Sequence, residues 1–370
     1  MKTPQKADAV VLGAGAVGCA IALQLARSGI APRVFDRDGI ASNASAFAWG
    51  GLSAHFGNGV PGPMTEHYRD AIAKHIALYD ELSSSASNDW ELQPVVSLSL
   101  ADDETTANQL TADVEWMRSQ DFAAEMIDAD NLYRLEPAIR DGMVAASLVE
   151  AGWELDSNSF TKSIATEAKR GGAIFADGCA VAIETRGSSV NGVKFADGSI
   201  IEAPIVIVAT GPWTSDIAGV PSLPIKPMKG EIIRLERPGS DLQNRVGFGG
   251  FNVGRKPDGS VWAGTYEWDR GFNREVSDEG RNHIMGGVTS YIPSLAGLRT
   301  IKTTACLRPV ASDGFPIVGA SSAADGLFYA NGAGKKGILL SPLMAEWTAD
   351  LVLQEISPPE IVLPSRFEDI

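Results

Sequence analysis

"VVLGAGAVGCAIALQLARSGIAPRVFDRD", Val10 to Asp38, is the stretch whose reading decides the fold. Three glycines, Gly13, Gly15 and Gly18, directly follow an apolar run, and an acid, Asp36, stands near its end. Residues 9–12 read as a buried parallel strand, and Ala20, Leu23, Ala26 and Arg27 keep helical spacing behind the glycines. Gly13 permits a tight strand-to-helix turn. Gly15 removes the Cβ that would block a pyrophosphate from the helix N-terminus, where free N–H groups and the dipole favour anions. Gly18 lets the helix lie close on the strand. Asp36 ends a second strand over 33–35 and can accept hydrogen bonds from both ribose hydroxyls of an adenosine. The spacing therefore predicts a dinucleotide site within one βαβ unit. An acid at 36 argues against NADP and leaves NAD and FAD open.

The chain has 370 residues, 44% of them hydrophobic and 21% charged, which suggests a globular protein of two domains. A formal net charge of −15 disfavours nucleic acid and anionic membranes as partners. Cys19, Cys179 and Cys306 lie far apart, and four histidines complete no ligand spacing, so neither a disulfide framework nor a metal site is expected. The first strand starts within ten residues of Met1, and no apolar stretch is long enough to span a bilayer; a reducing cytoplasm is the expected compartment.

Between Gly39 and Thr65 there is no Asp, Glu, Lys or Arg. An uncharged loop after the ribose-binding acid suits a segment laid along a bulky aromatic cofactor. Residues 64–82 read as an amphipathic helix, with His67 and His75 as ordinary helix residues. Residues 91–140 are charged and mixed, a candidate second lobe. Strand signals return over 173–208, with hairpin turns expected at Asn191-Gly192 and Asp197-Gly198. That region ends in a buried strand running into Ala209-Thr210-Gly211, a second close approach of backbone to a nucleotide. Residues 225–268 alternate as antiparallel strands of another sheet. A final helix runs through Leu351.

These motifs in this order resemble the superfamily of D-amino-acid oxidase, glycine oxidase and sarcosine oxidase. The likeness covers nearly the whole chain. It rests on Gly13, Gly15 and Gly18 with Asp36, on Ala209 to Gly211, on LRPVASDGFPIVG from Leu307 to Gly319, and on Gly332, Gly334 and Gly337. The resemblance implies an α/β fold: a Rossmann-like FAD-binding domain, discontinuous in sequence (1–85, 146–218 and 306–370). A second, α+β substrate domain is built on an antiparallel sheet (86–145 and 219–305). It implies FAD as cofactor, contacted by Gly13, Gly15, Ala16, Val17, Gly18, Asp36, Arg37, Ser42, Ser45, Gly50, Val181, Thr210, Gly211, Gly332, Gly334, Lys335, Lys336, Gly337 and Ile338. Val181 would meet the adenine through its backbone. Ser42 and Ser45 would give hydroxyls to the pyrophosphate or ribityl chain. Residues 332–338 would line the pyrimidine edge of the flavin, where N–H groups stabilise charge on reduction.

Arg308 matches the arginine that clamps the substrate carboxylate, a task suited to a planar fork; the bland alternative is an arginine paired with Asp313. Lys336 matches the lysine that sarcosine oxidases hold over the flavin for oxygen activation. Two departures concern the substrate. The family's YxVPR-like strand is here FNVGR, which puts a hydroxyl-free Phe251 at a substrate-binding position, and the C-terminal glycine segment lacks a histidine. Cys306 stands where some sarcosine oxidases bond the flavin, although a small buried thiol is the simpler reading. The implied activity is oxidation of an amine, a D-amino acid or N-substituted amino acid of glycine, sarcosine or opine type. Hydride passes to flavin N5, giving an imine that hydrolyses, and O2 or a quinone or other carrier takes the electrons. The alternatives are a 2-hydroxy acid dehydrogenase and the FAD-binding subunit of a hetero-oligomer; a homo-oligomer is also allowed.

Overall fold

The computed structural model describes residues 5–85, 89–237 and 242–367. The opening motif folds as its spacing requires. Ala9–Leu12 is a strand with all four residues buried, and a helix follows over Ala16–Arg27. Pro32–Asp36 pairs parallel to the first strand. Together they sit inside a six-stranded sheet whose other strands are Ile317–Ala320, Leu327–Asn331, Val206–Val208 and Ile174–Asp177. All its pairings are parallel except that of the first two of these, at one edge.

Alternation along the central strands separates two hydrophobic layers. Ala9 and Val11 point to a core shared with the helices Ala16–Arg27, Thr65–Glu81, Ser157–Arg170 and Gly337–Leu353. Val10 and Leu12 point the other way, to a core shared with a four-stranded sheet of residues 5–6, 180–186, 189–195 and 200–202.

A nine-stranded sheet supplies the other half of the molecule. From one edge it runs Thr300–Ala311, Ile225–Leu235, Val261–Trp268, Phe251–Arg255, Arg245–Phe248, Gln93–Ala101, Ala145–Glu154 and Gly51–Ser53, with Ala124–Asp128 branching from Ala145–Glu154. One face packs its Val246, Val253, Ile233 and Ala263 under the helix Asp278–Thr289. The opposite face looks toward the carboxyl ends of the six-stranded sheet, where open α/β sheets bind ligands. Strands of this large sheet come from distant parts of the chain, from Gly51–Ser53 to Thr300–Ala311. One expected domain edge, at residue 86, lies outside the described residues, as do residues 1 and 370.

Two local expectations are corrected. Asn191-Gly192 is no turn: it lies inside the strand Ser189–Phe195, where the register shifts and a Cβ on Gly192 would stand 2.2 Å from the Ile201 carbonyl oxygen. The reversal comes earlier, at Gly187, whose φ of +64° is reached without strain only by glycine. The uncharged segment 39–65 is not all loop, for it holds a short helix, Ala44–Phe47, and the strand Gly51–Ser53. Asp197-Gly198 does turn the chain, with the Asp197 carboxylate accepting from the Ser199 N–H.

Candidate active site

A cavity of about 610 Å³ lies between the two large sheets. Its walls bring together every residue that the sequence reading assigned to cofactor or substrate except Gly18 and Phe251. The three glycines divide their work. Gly13 has φ +102° and would set a Cβ 2.3 Å from the Ala209 carbonyl oxygen, so it locks the first turn against the later Ala209-Thr210-Gly211 crossing. A Cβ on Gly18 would stand 2.0 Å from the Gly13 carbonyl oxygen, which makes Gly18 a packing glycine. Gly15 alone has its open side on the cavity, with only the Ser45 hydroxyl nearby at 3.1 Å.

Beside it the helix N-terminus has no acidic residue in its first turn, and Gly15 provides no side-chain cap. The Ala16 N–H donates to Ser45 Oγ at 2.9 Å, and that hydroxyl keeps its own proton to donate into the cavity. Asp36 accepts from the Ala14 N–H at 2.7 Å and the Asp38 N–H at 2.8 Å. These bonds use one lone pair on each oxygen and hold the carboxylate at the cavity wall. An uncapped helix N-terminus, a glycine without a Cβ and a fixed carboxylate fit the pyrophosphate and ribose of a dinucleotide.

A second set of contacts joins this end to the C-terminal glycines. Asn331 donates through Nδ2 to the Gly211 carbonyl at 2.8 Å and to Thr214 Oγ1, and its Oδ1 accepts from the Gly332 N–H. One buried amide thus fixes two cavity-lining turns, Gly211 and Gly332. Nothing in the sequence marked Asn331.

The remaining wall is a row of side chains on the cavity face of the nine-stranded sheet. Arg308 lies over Gly230, whose missing Cβ would fall 2.4 Å from its guanidinium. Its Nη1 donates to Glu267 Oε1 at 3.0 Å, and Lys335 meets Glu267 Oε2 at 2.8 Å. Arg308 is therefore paired, but with Glu267; Asp313 is taken by Arg366 at 2.7 Å. Phe251 does not reach the cavity. Alternation puts it with Val253 on the other face, its ring against Gly287 and 5.0 Å from the His283 ring. Asn252 faces the cavity in its place. Which face a strand residue takes depends on the partner layers, which the motif alone does not reveal.

Arg245 is the other cation that the sequence reading missed. It lines the cavity, passes the Cβ-free Gly254 and lies 5.0 Å over the Trp49 ring. Behind Trp49 a buried cluster holds the wall: Glu154 accepts from Trp49 Nε1 at 2.7 Å and pairs with Lys256 at 2.8 Å. Lys256 also donates to the Trp49 carbonyl at 2.6 Å, and burial pulls its pKa down to about 8.

Lys336 is buried at the cavity edge. Its ammonium donates to the Ser53 carbonyl at 2.9 Å and lies 4.1 Å from the Phe56 ring and 4.9 Å from the Tyr68 ring. Burial, with Arg245 and Lys335 adding like charge, lowers its pKa to about 7. Cys306 also lines the cavity, and burial pushes its thiol up, away from the reactive thiolate.

Comparison with known proteins agrees with this arrangement. The family described as "FAD dependent oxidoreductase" (DAO) matches residues 8–351. The chain is similar to a glycine oxidase of Bacillus licheniformis, 26% identical over 349 residues that cover 94% of this chain and 93% of the relative. Among solved structures it superposes on glycine oxidase from Geobacillus kaustophilus with a TM-score of 0.89 and 24% identity, covering 95% of this chain and 96% of that one. Iminodiacetate oxidase from Chelativorans sp. BNC1 gives a TM-score of 0.86 at 23% identity, covering 96% and 98%. At these identities the two structures establish the fold. No helix among the described residues is long and apolar enough to cross a membrane.

Proposed function

The chain belongs to the DAO family of FAD-dependent oxidoreductases, with FAD as its cofactor, and on that premise we propose that it oxidises an amine carrying a carboxylate. The similarity to a protein named glycine oxidase supports a small amino acid or N-substituted amino acid as substrate. The observation that carries the reading is Arg308, a guanidinium on the same cavity as the dinucleotide-binding turns. In this proposal the segments 1–85, 146–218 and 306–370 hold the cofactor and the remainder shapes the substrate side.

Bound FAD supplies the acceptor for the hydride that leaves the substrate α-carbon. The protein's own work is positioning and electrostatics. Gly15, the Ala16 end of the helix and Ser45 take the pyrophosphate, and Asp36 takes the ribose. Arg308 holds the substrate carboxylate with the N–H groups that Glu267 leaves free. Glu267 bonds only Nη1, so it steadies the guanidinium without filling its fork. Lys336, whose pKa is lowered to about 7, would lend the cavity edge a positive charge that depends on pH and that would favour a negatively charged flavin. No carboxylate or imidazole base is assigned, because a neutral amine needs none. The imine product is hydrolysed by water, and oxygen or another carrier takes the electrons.

The test is anaerobic bleaching of the flavin by a panel of glycine, sarcosine, D-amino acids, decarboxylated amines and 2-hydroxy acids. Removing one partner of a hydrogen-bonded ion pair typically costs about 2–5 kcal/mol. Arg308→Ala should therefore weaken substrate capture roughly thirtyfold or more, with FAD retained. Equal loss for substrates with and without a carboxylate, or loss of FAD, removes Arg308 from the substrate site. Bleaching by hydroxy acids alone replaces the amine with an alcohol.

A further inference from the structure

Glu267 bridges Arg308 and Lys335, but no such partner exists for Arg245 among the described residues. Its guanidinium makes no hydrogen bond or ion pair among the described residues. The carboxylate that interacts with it electrostatically, Glu154, has both oxygens committed, one to Lys256 at 2.8 Å and one to Trp49 Nε1 at 2.7 Å. Desolvation holds the Arg245 pKa below its usual value, yet an arginine stays charged at any relevant pH. A desolvated guanidinium with no carboxylate hydrogen-bonded to it is costly unless something anionic arrives to meet it.

The fold aims it at the cavity deliberately. Val246 packs on the opposite face beneath the helix Asp278–Thr289, so alternation turns Arg245 and Gly247 toward the cavity. Across the ladder, Gly247 pairs with Asn252, and Gly254 leaves room for the arginine's stem. The strand is pinned just before Arg245: the buried Glu136 carboxylate accepts the N–H groups of Gln243, at 3.1 Å, and Asn244, at 2.9 Å. The same sheet face then carries Arg245, Asn252 and Glu267 on three neighbouring strands, and Arg308 beyond the intervening strand Ile225–Leu235. Arg245 thus belongs to the sheet that carries Arg308, and not to the six-stranded sheet that carries the Gly13 and Asp36 turns.

We propose that Arg245 binds a second carboxylate, and that the preferred substrate is a secondary amine with a carboxylate on each arm. Arg308 takes one carboxylate and Arg245 the other, from strands four apart on the same cavity wall, with Asn252 on the strand next to Arg245. The inference rests on the amine-oxidation reading above and narrows it.

Two kinds of measurement on the FAD-loaded protein separate the claims. Binding is read by calorimetry with thioethers, which offer no N–H to oxidise: thiodiacetate and 3,3′-thiodipropionate, which differ in span, against (methylthio)acetate, which has one carboxylate. Wild type should bind one of the two dicarboxylates at least about thirtyfold more tightly than the monocarboxylate. Arg245→Met should erase most of that ratio, and Arg245→Lys should restore part of it, since charge returns without the fork. Turnover is read as anaerobic flavin bleaching, where iminodiacetate should outcompete sarcosine in wild type and lose that advantage in Arg245→Met. Equal affinity for one and two carboxylates, with sarcosine still bleaching the flavin, overturns the inference and leaves amine oxidation standing. Loss of the flavin spectrum in Arg245→Met makes the arginine a cofactor ligand and also overturns it. Failure of every amine to bleach wild type removes the underlying reading, and this proposal with it.

Discussion

At the scale of single residues, three glycines that look alike in the sequence do three jobs. Gly13 and Gly18 are enclosed by backbone, whereas Gly15 opens on the cavity. Gly15→Val should therefore give a folded protein that has lost its flavin absorbance, because the added side chain fills space meant for the pyrophosphate and presses on Ser45. Gly13→Ala should instead fail as a fold. Its positive φ and the approach to the Ala209 oxygen together cost on the order of 1–3 kcal/mol or more. Circular dichroism, denaturation midpoint and visible spectrum of the two variants distinguish the cases, and a colourless but equally destabilised Gly15→Val contradicts the division. The motif was legible as a motif. That Gly15 needs open space beside it was legible too, but that Gly13 also packs on Ala209, far along the chain, was not, because that contact belongs to a tertiary crossing.

Secondary elements carry the next lesson. The helix Gly337–Leu353 contains Pro342, which has no N–H to offer the Ile338 carbonyl one turn back. His75, on the helix Thr65–Glu81, donates through Nε2 to the Ile338 carbonyl at 3.0 Å and the Leu339 carbonyl at 3.1 Å, and the Ser341 hydroxyl assists at 2.8 Å. Sequence periodicity placed His75 on its helix but gave it no task, since the need arises in a proline many residues away. Phe251 failed for a related reason: strand alternation is visible in sequence, while the side that faces the cavity is set by the layer behind it. Burial lowers the His75 pKa to about 4, from an ordinary 6.5. A depressed folded value means that the unfolded chain binds the extra proton between those limits, so stability falls as pH drops below 6.5. His75 should account for about 2 kcal/mol of that loss by pH 5. His75→Asn should be less stable than wild type at pH 7, and its stability should decline less steeply toward pH 5. Parallel pH profiles of urea midpoints for the two proteins would mean that the imidazole is already charged in the fold.

At the scale of the whole molecule, the cavity is what the two large sheets have in common. Its walls come from the first turn, the 39–65 segment, the 209–217 crossing, the strand bearing Arg308 and the C-terminal glycines, so no single stretch of chain owns it. Cations dominate part of that wall: Lys336 is desolvated and Arg245 is unpaired, and both lower the stability of an empty site. The ligand must then act as a cross-brace between sheets as well as a reagent. A ligand that binds only the folded state stabilises it by RT ln(1 + [L]/Kd), which is about 2.7 kcal/mol at a hundred times Kd. Flavin-stripped protein should therefore melt several degrees lower than protein reloaded with FAD, and its midpoint should keep rising with the logarithm of free FAD above saturation. Free riboflavin, which lacks the pyrophosphate and adenosine, should reproduce little of the rise, because the helix N-terminus at Gly15 and the carboxylate of Asp36 would remain unused. The same titration in Gly15→Val should be flat. A midpoint indifferent to FAD in the wild type would place the cofactor outside this cavity; equal stabilisation by riboflavin would shift its binding from the dinucleotide turns to the ring-binding wall alone.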